Sequence, residues 1–161
     1  MEHFRDLVKE ANRAFETADH LTYMTYPLVN DKKVLMLIVE HLHKALLKTM
    51  EAFLYYDALY KRISFMPRAF ESQLEIFRNY TIRKYNLSTE TVILIKEIDD
   101  LIKYRETAPM EFSRRENYVI ASNSYKLKII SIEKVKRFVT QSKLLLQRVN
   151  EVLAESDRRF S

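Results

Sequence analysis

DKKVLMLIVEHLHKALLKTMEAFLYYDALYK, residues 31–61, is the stretch that decides how this chain folds. Its apolar residues recur at three-and-four spacing, the period of a helix rather than the alternation of a strand. The main stripe is Leu35, Ile38, Leu42, Ala45, Leu46, Thr49, Phe53, Tyr56 and Tyr60. A second stripe, Met36, Val39, Leu47, Met50 and Leu54, runs beside it. Only a narrow polar line is left, through Glu40, Lys44, Lys48 and Glu51. At 1.5 Å per residue this helix would be roughly 45 Å long. A helix so widely apolar needs neighbours on several sides, so it is expected at the centre of a bundle.

Four further helical patterns supply those neighbours. The first runs from about residue 3 to 25 on Phe4, Leu7, Ala11, Ala14, Phe15, Ala18 and Leu21, with Pro27 as its stop. The third spans about 68–86, with Phe70, Leu74, Phe77, Tyr80, Thr81 and Tyr85 facing inward. Ser88 is placed to cap the fourth, about 89–106, with Leu87 and Val92 as a hydrophobic staple. Ser131 is placed to cap the fifth, with Ile130 and Val135 as its staple, and that helix runs to about 155 before fraying. The spacing predicts a single all-α, up-and-down bundle of five helices over residues 1–161.

One stretch breaks the helical rhythm. In EFSRRENYVIASNSYKLKII, residues 111–130, Tyr118 and Ile120, then Tyr125, Leu127 and Ile129, alternate with small or basic residues. The alternation predicts a short β-hairpin over about 112–130, turning near Ser122-Asn123-Ser124. A lone hairpin is not stable by itself, so it must lie against the bundle or a partner. The expected packing side is Tyr118, Ile120, Leu127 and Ile129.

Composition removes whole classes of chemistry. The chain has no Gly, so Gly-rich phosphate loops, nucleophile elbows and dinucleotide fingerprints are excluded. It has no Cys, so disulfides, thiolate nucleophiles, zinc fingers and iron–sulfur sites are excluded as well. That suits a reducing cytosol, and a cytoplasmic location is expected. The N-terminal residues have acids throughout and no apolar h-region, unlike a signal peptide. The longest apolar run, Val34–Val39, is far short of a membrane span, and no membrane partner is expected.

Charge points to one region. Residues 103–148 hold 11 Lys and Arg against 4 Asp and Glu, whereas residues 1–102 hold 14 against 15. The basic excess belongs to the hairpin and the helix after it, a candidate surface for an anionic or acidic partner. Arg114, Arg115, Lys126 and Lys128 lie on or beside the hairpin, and Lys134, Lys136 and Arg137 open the last helix. Lys126 and Lys128 would share one strand face. Tyr118 and Tyr125 could stack on the bases of a single-stranded nucleic acid. The competing reading packs both tyrosines on the bundle and leaves the lysines to keep a sheet edge soluble.

Other constellations are incomplete. Glu40 and His43 form one Glu-x-x-His, but a carboxylate-bridged iron site needs a second such pair and two more Glu. His43 falls within the second apolar stripe, where a hydrogen-bonded core histidine is expected, and no metal or cofactor is. Asp99-Asp100 is expected as a solvated pair at the edge of a helix. No Ser/His/Asp signature is present, and no catalytic residue is assigned.

ANRAFETADHLTYMTYPLV, residues 11–29, followed by the long VEHLHKALLKTMEAFLYYD helix, resembles the HEPN superfamily of small helical bundles. The similarity covers about residues 10–105. It implies a helical bundle and, in many members, a ribonuclease site made by an Arg followed by a His four to six residues later on a late helix. Here all four His lie at positions 3, 20, 41 and 43, so Arg114 and Arg115 have no His after them. Arg13 and His20 have six residues between them, but on the first helix and with Ala14 after the Arg. The resemblance therefore implies a non-catalytic interaction module that binds a protein, a second copy of itself or RNA. A ribonuclease with an atypical site is the alternative.

Overall fold

The computed structural model describes residues 1–160, without the side chain of Phe160; Ser161 lies outside the described residues. Among the described residues four helical rods surround one long helix, and a small antiparallel sheet precedes the last rod. The helices are α1 (Glu2–His20), α2 (Tyr26–Val29), α3 (Lys33–Leu59), α4 (Phe70–Ile76), α5 (Ile82–Lys84), α6 (Glu90–Thr107) and α7 (Ile132–Phe160). Single π-helical turns, Leu21–Thr25 and Phe77–Thr81, join α1 to α2 and α4 to α5. The strands are β1 (Met110–Arg114), β2 (Asn117–Ala121) and β3 (Leu127–Ile130).

The central position of α3 follows from its two stripes. It packs against α1, α4, α6, α7 and β2. Both stripes are buried from Leu35 to Tyr56, save for half-buried Leu47, while Tyr60 at the helix end is exposed. Asp57 is fully buried on the same helix. Its Oδ1 accepts Tyr85 Oη at 2.7 Å, Lys84 Nζ at 2.9 Å and Arg62 Nη1 at 3.1 Å. One carboxylate thus fastens the connector after α3 to α5. Burial, then the bond to Asp57, pushes the Tyr85 hydroxyl far above its ordinary range.

Two helix ends differ from the sequence reading. Pro27 does not stop the first rod. The π turn before it already rearranges the hydrogen bonds that a proline would break, and the helix runs on to Val29. The stop is Asn30, in the left-handed region at φ 49°. At the other end of the chain α7 does not fray at Glu155. Ser156 is buried and Asp157 pairs with Arg5 of α1, so tertiary contacts hold the last turns. The two serine caps occur as expected: Ser88 Oγ accepts Glu90 N–H at 3.2 Å, and Ser131 Oγ accepts Lys134 N–H at 3.1 Å.

The odd stretch is a three-stranded meander, not a two-stranded hairpin. The β2–β3 turn falls at residues 122–126, where it was expected, closed by Ser122 N–H to Lys126 O at 3.0 Å. An additional strand, β1, pairs with β2 from Met110↔Ala121 to Arg114↔Asn117. It was hidden because Met110–Arg114 has too few β-branched residues to announce a strand. With no glycine available, Arg115 and Tyr125 supply the left-handed turn positions, at φ 55° and 60°. Asn123 was expected there.

The register also corrects the expected packing side. Tyr118 pairs with Ile130 and Ile120 with Lys128. Opposed residues share a sheet face, so Tyr118, Ile120 and Ile130 face the core. Leu127 and Ile129 belong to the other face, with Val119 and Ala121. The five-residue turn sets this parity, and sequence alternation alone does not reveal it.

Candidate functional site

The sheet is held to the bundle by a charged network on its inner side. Arg105 of α6 donates from Nε to Glu111 Oε2 at 3.0 Å and from Nη2 to Glu111 Oε1 at 3.1 Å. The same guanidinium pairs with Glu40 of α3, and the Tyr118 hydroxyl donates to Glu111. The Arg105 hydrogen bonds hold the Glu111 carboxyl below its ordinary range against the opposing effect of burial, and Tyr118 adds to this. Burial and the bond to Glu111 push the Tyr118 hydroxyl up to about 12. Lys33, Met36 and Leu37 complete the walls of a small polar recess here, about 350 Å³. The pairing of Glu40 with Arg105 gave no sequence signal, because it joins positions far apart in the chain.

The outer side of the sheet is apolar. Met110 and Phe112 of β1, Val119 and Ala121 of β2, and Leu127 and Ile129 of β3 share this face by register. Val119 and Ala121 are screened, yet the flanking four remain 36–53% exposed. Arg114 alternates onto the same face, and Arg115 follows in the turn. Lys126 lies at the opposite end of the sheet, before β3. Arg114, Arg115 and Lys126 are exposed, and their side chains make no ion pair among the described residues.

The remaining sequence candidates separate. Tyr118 is 4% exposed and bonded to Glu111, so it offers no stacking surface, while Tyr125 at 82% exposure does. Lys126 and Lys128 do not share a strand face, since Lys126 lies in the turn. The Lys126 carbonyl accepts the Tyr104 hydroxyl, and the Lys128 ammonium stands 5.6 Å from the Tyr104 ring centroid. Lys134 Nζ donates to Ile129 O at 3.3 Å, Lys136 sits over Tyr23, and Arg137 is paired with Glu97 at 2.9 Å. The unengaged cations are therefore those of the sheet and its turns, and the start of α7 is partly spent on internal contacts.

His43 is hydrogen-bonded, as its stripe position implied: its Nε2 lies 2.9 Å from Asp99 Oδ1. Asp99 corrects the sequence reading. It is 3% exposed rather than solvated, and Lys103 Nζ stands 2.7 Å from its Oδ2. Burial alone would raise the Asp99 carboxyl, but Lys103 and His43 outweigh it and hold it below its ordinary range. Glu40 and His43 turn to different partners, Arg105 and Asp99. No group of three or more His, Cys, Asp and Glu with metal-binding geometry occurs among the described residues. Arg13 and His20 line an open depression with Glu16, Thr17 and Leu21. All five belong to α1 and the turn after it, so among the described residues no second element walls that depression.

No helix among the described residues is long and apolar enough to cross a membrane. No protein-family model, curated protein or solved structure matches the chain.

Proposed function

We propose that this chain is a non-catalytic interaction module of the cytosol, HEPN-like in its up-and-down helical outline, that engages a protein partner through its basic sheet. One observation carries the reading: an apolar outer sheet face bounded by cations that have no carboxylate partner among the described residues. Soluble domains seldom leave a sheet face apolar on the solvent side unless something covers it. The helical bundle fixes the face from behind, through Arg105 and the inward Tyr118, Ile120 and Ile130.

Comparing proteins retained by the tagged wild-type chain and by Phe112→Asp, by quantitative mass spectrometry from the source cells, tests this. A partner retained by wild type and lost with Phe112→Asp is expected. Identical sets would contradict the proposal.

RNA is the second reading, favoured by exposed Tyr125 beside Lys126 and by the free arginines of the first turn. It predicts retention of RNA at roughly 50 mM salt, where electrostatic binding is strongest. Lys126→Glu with Lys128→Glu would weaken that retention at every sequence. The ribonuclease alternative would require Arg13 and His20 to meet a second surface that completes their open depression.

A further inference from the structure

We infer that the outer face of the sheet receives an amphipathic helix of another protein, with acidic residues flanking its apolar stripe; this rests on the interaction-module reading and names the partner's chemistry. Three observations select that occupant.

The first is size. Six residues make the face, Met110, Phe112, Val119, Ala121, Leu127 and Ile129. A stable globular interface uses roughly 20–30 residues a side, so the face suits a single element. Strands lie about 4.8 Å apart, which puts β1 and β3 roughly 10 Å apart. That is the width of one helix. A helix laid there would add the missing layer to a sheet covered on only one side. Met110 and Phe112 are two residues apart on β1, a span of about 7 Å. Anchors at i, i+3 or i+4, and i+7 of an incoming helix match such spans.

The second is charge. Arg114 and Arg115 stand at one end of the face and Lys126 at the other, and none has a carboxylate partner among the described residues. An occupant bearing Asp or Glu on both sides of its apolar stripe would meet them. A basic occupant would be repelled at both ends.

The third concerns self-association. A second copy would set the basic segment 103–148, with 11 Lys and Arg against 4 Asp and Glu, against itself. Like charges across an interface disfavour association. The occupant is therefore a different chain.

Selection from a displayed library of random peptides, each about 16 residues, against the full chain tests this. The expected result is enrichment of sequences with apolar residues at three-and-four spacing flanked by Asp and Glu. Phe112→Asp should then lower affinity by at least about tenfold, and Arg114→Glu with Arg115→Glu by about three- to tenfold, more at low salt. Thermal melting checks each variant, and Ile129→Asp replaces Phe112→Asp if the latter does not fold. Enrichment of basic or uncharged peptides through the same face would overturn the acidic partner and leave the module reading intact. Absence of any peptide that discriminates wild type from both face variants would overturn both. So would RNA retention that needs Arg114 and Arg115 without peptide binding. A wild-type dimer dissociated by Phe112→Asp would replace the acidic helix with a second copy.

Discussion

Arg105 of α6 grips Glu111 of β1 in a two-nitrogen pair, at 3.0 and 3.1 Å, and in doing so clamps the sheet to the bundle. The pair is partly buried, and the Tyr118 hydroxyl and Glu40 complete it. Because the planar guanidinium serves both carboxylates, a lysine could not replace it in full.

Arg105→Ala should release the sheet before it unfolds the bundle. A loss of about 1–3 kcal/mol is expected from Glu111 and Glu40, which lose the cation they share. Hydrogen exchange should accelerate at the amides of residues 110–121 while those of α1 and α3 keep their protection. Equal acceleration everywhere would mean that the sheet and bundle open as one unit.

Asp57→Ala should be among the most damaging single changes. It would leave Arg62, Lys84 and Tyr85 without the oxygen they share. Removing one side of a buried ion pair costs about 3–5 kcal/mol, and the partial exposure of both cations puts the expectation near the lower end. The urea midpoint reports it, and a change within about 0.5 kcal/mol, as at an ordinary surface site, would refute this account of the cluster.

Stability should fall in acid through Asp99. Its carboxyl is held below the ordinary range in the folded chain, so its contribution is fully present above the unfolded value of about 3.9. That contribution disappears as pH drops through the folded value, because the unfolded chain takes up the proton first. Asp99→Asn should be less stable than wild type at pH 6 and should lose less stability between pH 6 and pH 3. Parallel curves for the two proteins across that range would show that Asp99 is not the source.

The bundle was legible in the sequence because amphipathic stripes at residues 31–61 and in the four neighbouring segments each point to one structure. The β2–β3 turn was legible as well. What escaped was set by tertiary pairing. The parity of Leu127 and Ile129 depends on turn length, and β1 depends on β2 for its existence. Asp99 was read as solvated because its helix places it beside Asp100, yet His43 and Lys103 draw it inward. The candidate interface was half visible: the excess of cations could be counted, but the apolar face between them appears only once three strands are in register. Tyr118 was expected on the packing side of the sheet and lies there, so of the two roles left open for it the structure favours packing, with its hydroxyl on Glu111, over stacking.

Arg13→Ala and His20→Ala should leave any RNA cleavage by the purified chain unchanged. Both residues are exposed on one helix, and among the described residues their depression has no second wall. A reproducible cleavage pattern lost in both variants would favour the ribonuclease alternative.

The central claim is that the outer sheet face is where this chain meets its partner, and photo-crosslinking tests it most directly. A photoreactive phenylalanine analogue at position 112 reports on that face. The same analogue at Leu144, an exposed apolar position on α7, serves as the control. Irradiated in the source cells, the position-112 chain should give a discrete adduct with one other protein, identified by mass spectrometry, that weakens with Arg114→Glu and Arg115→Glu and is absent from position 144. No adduct at position 112, or the same adducts from both positions, would contradict it.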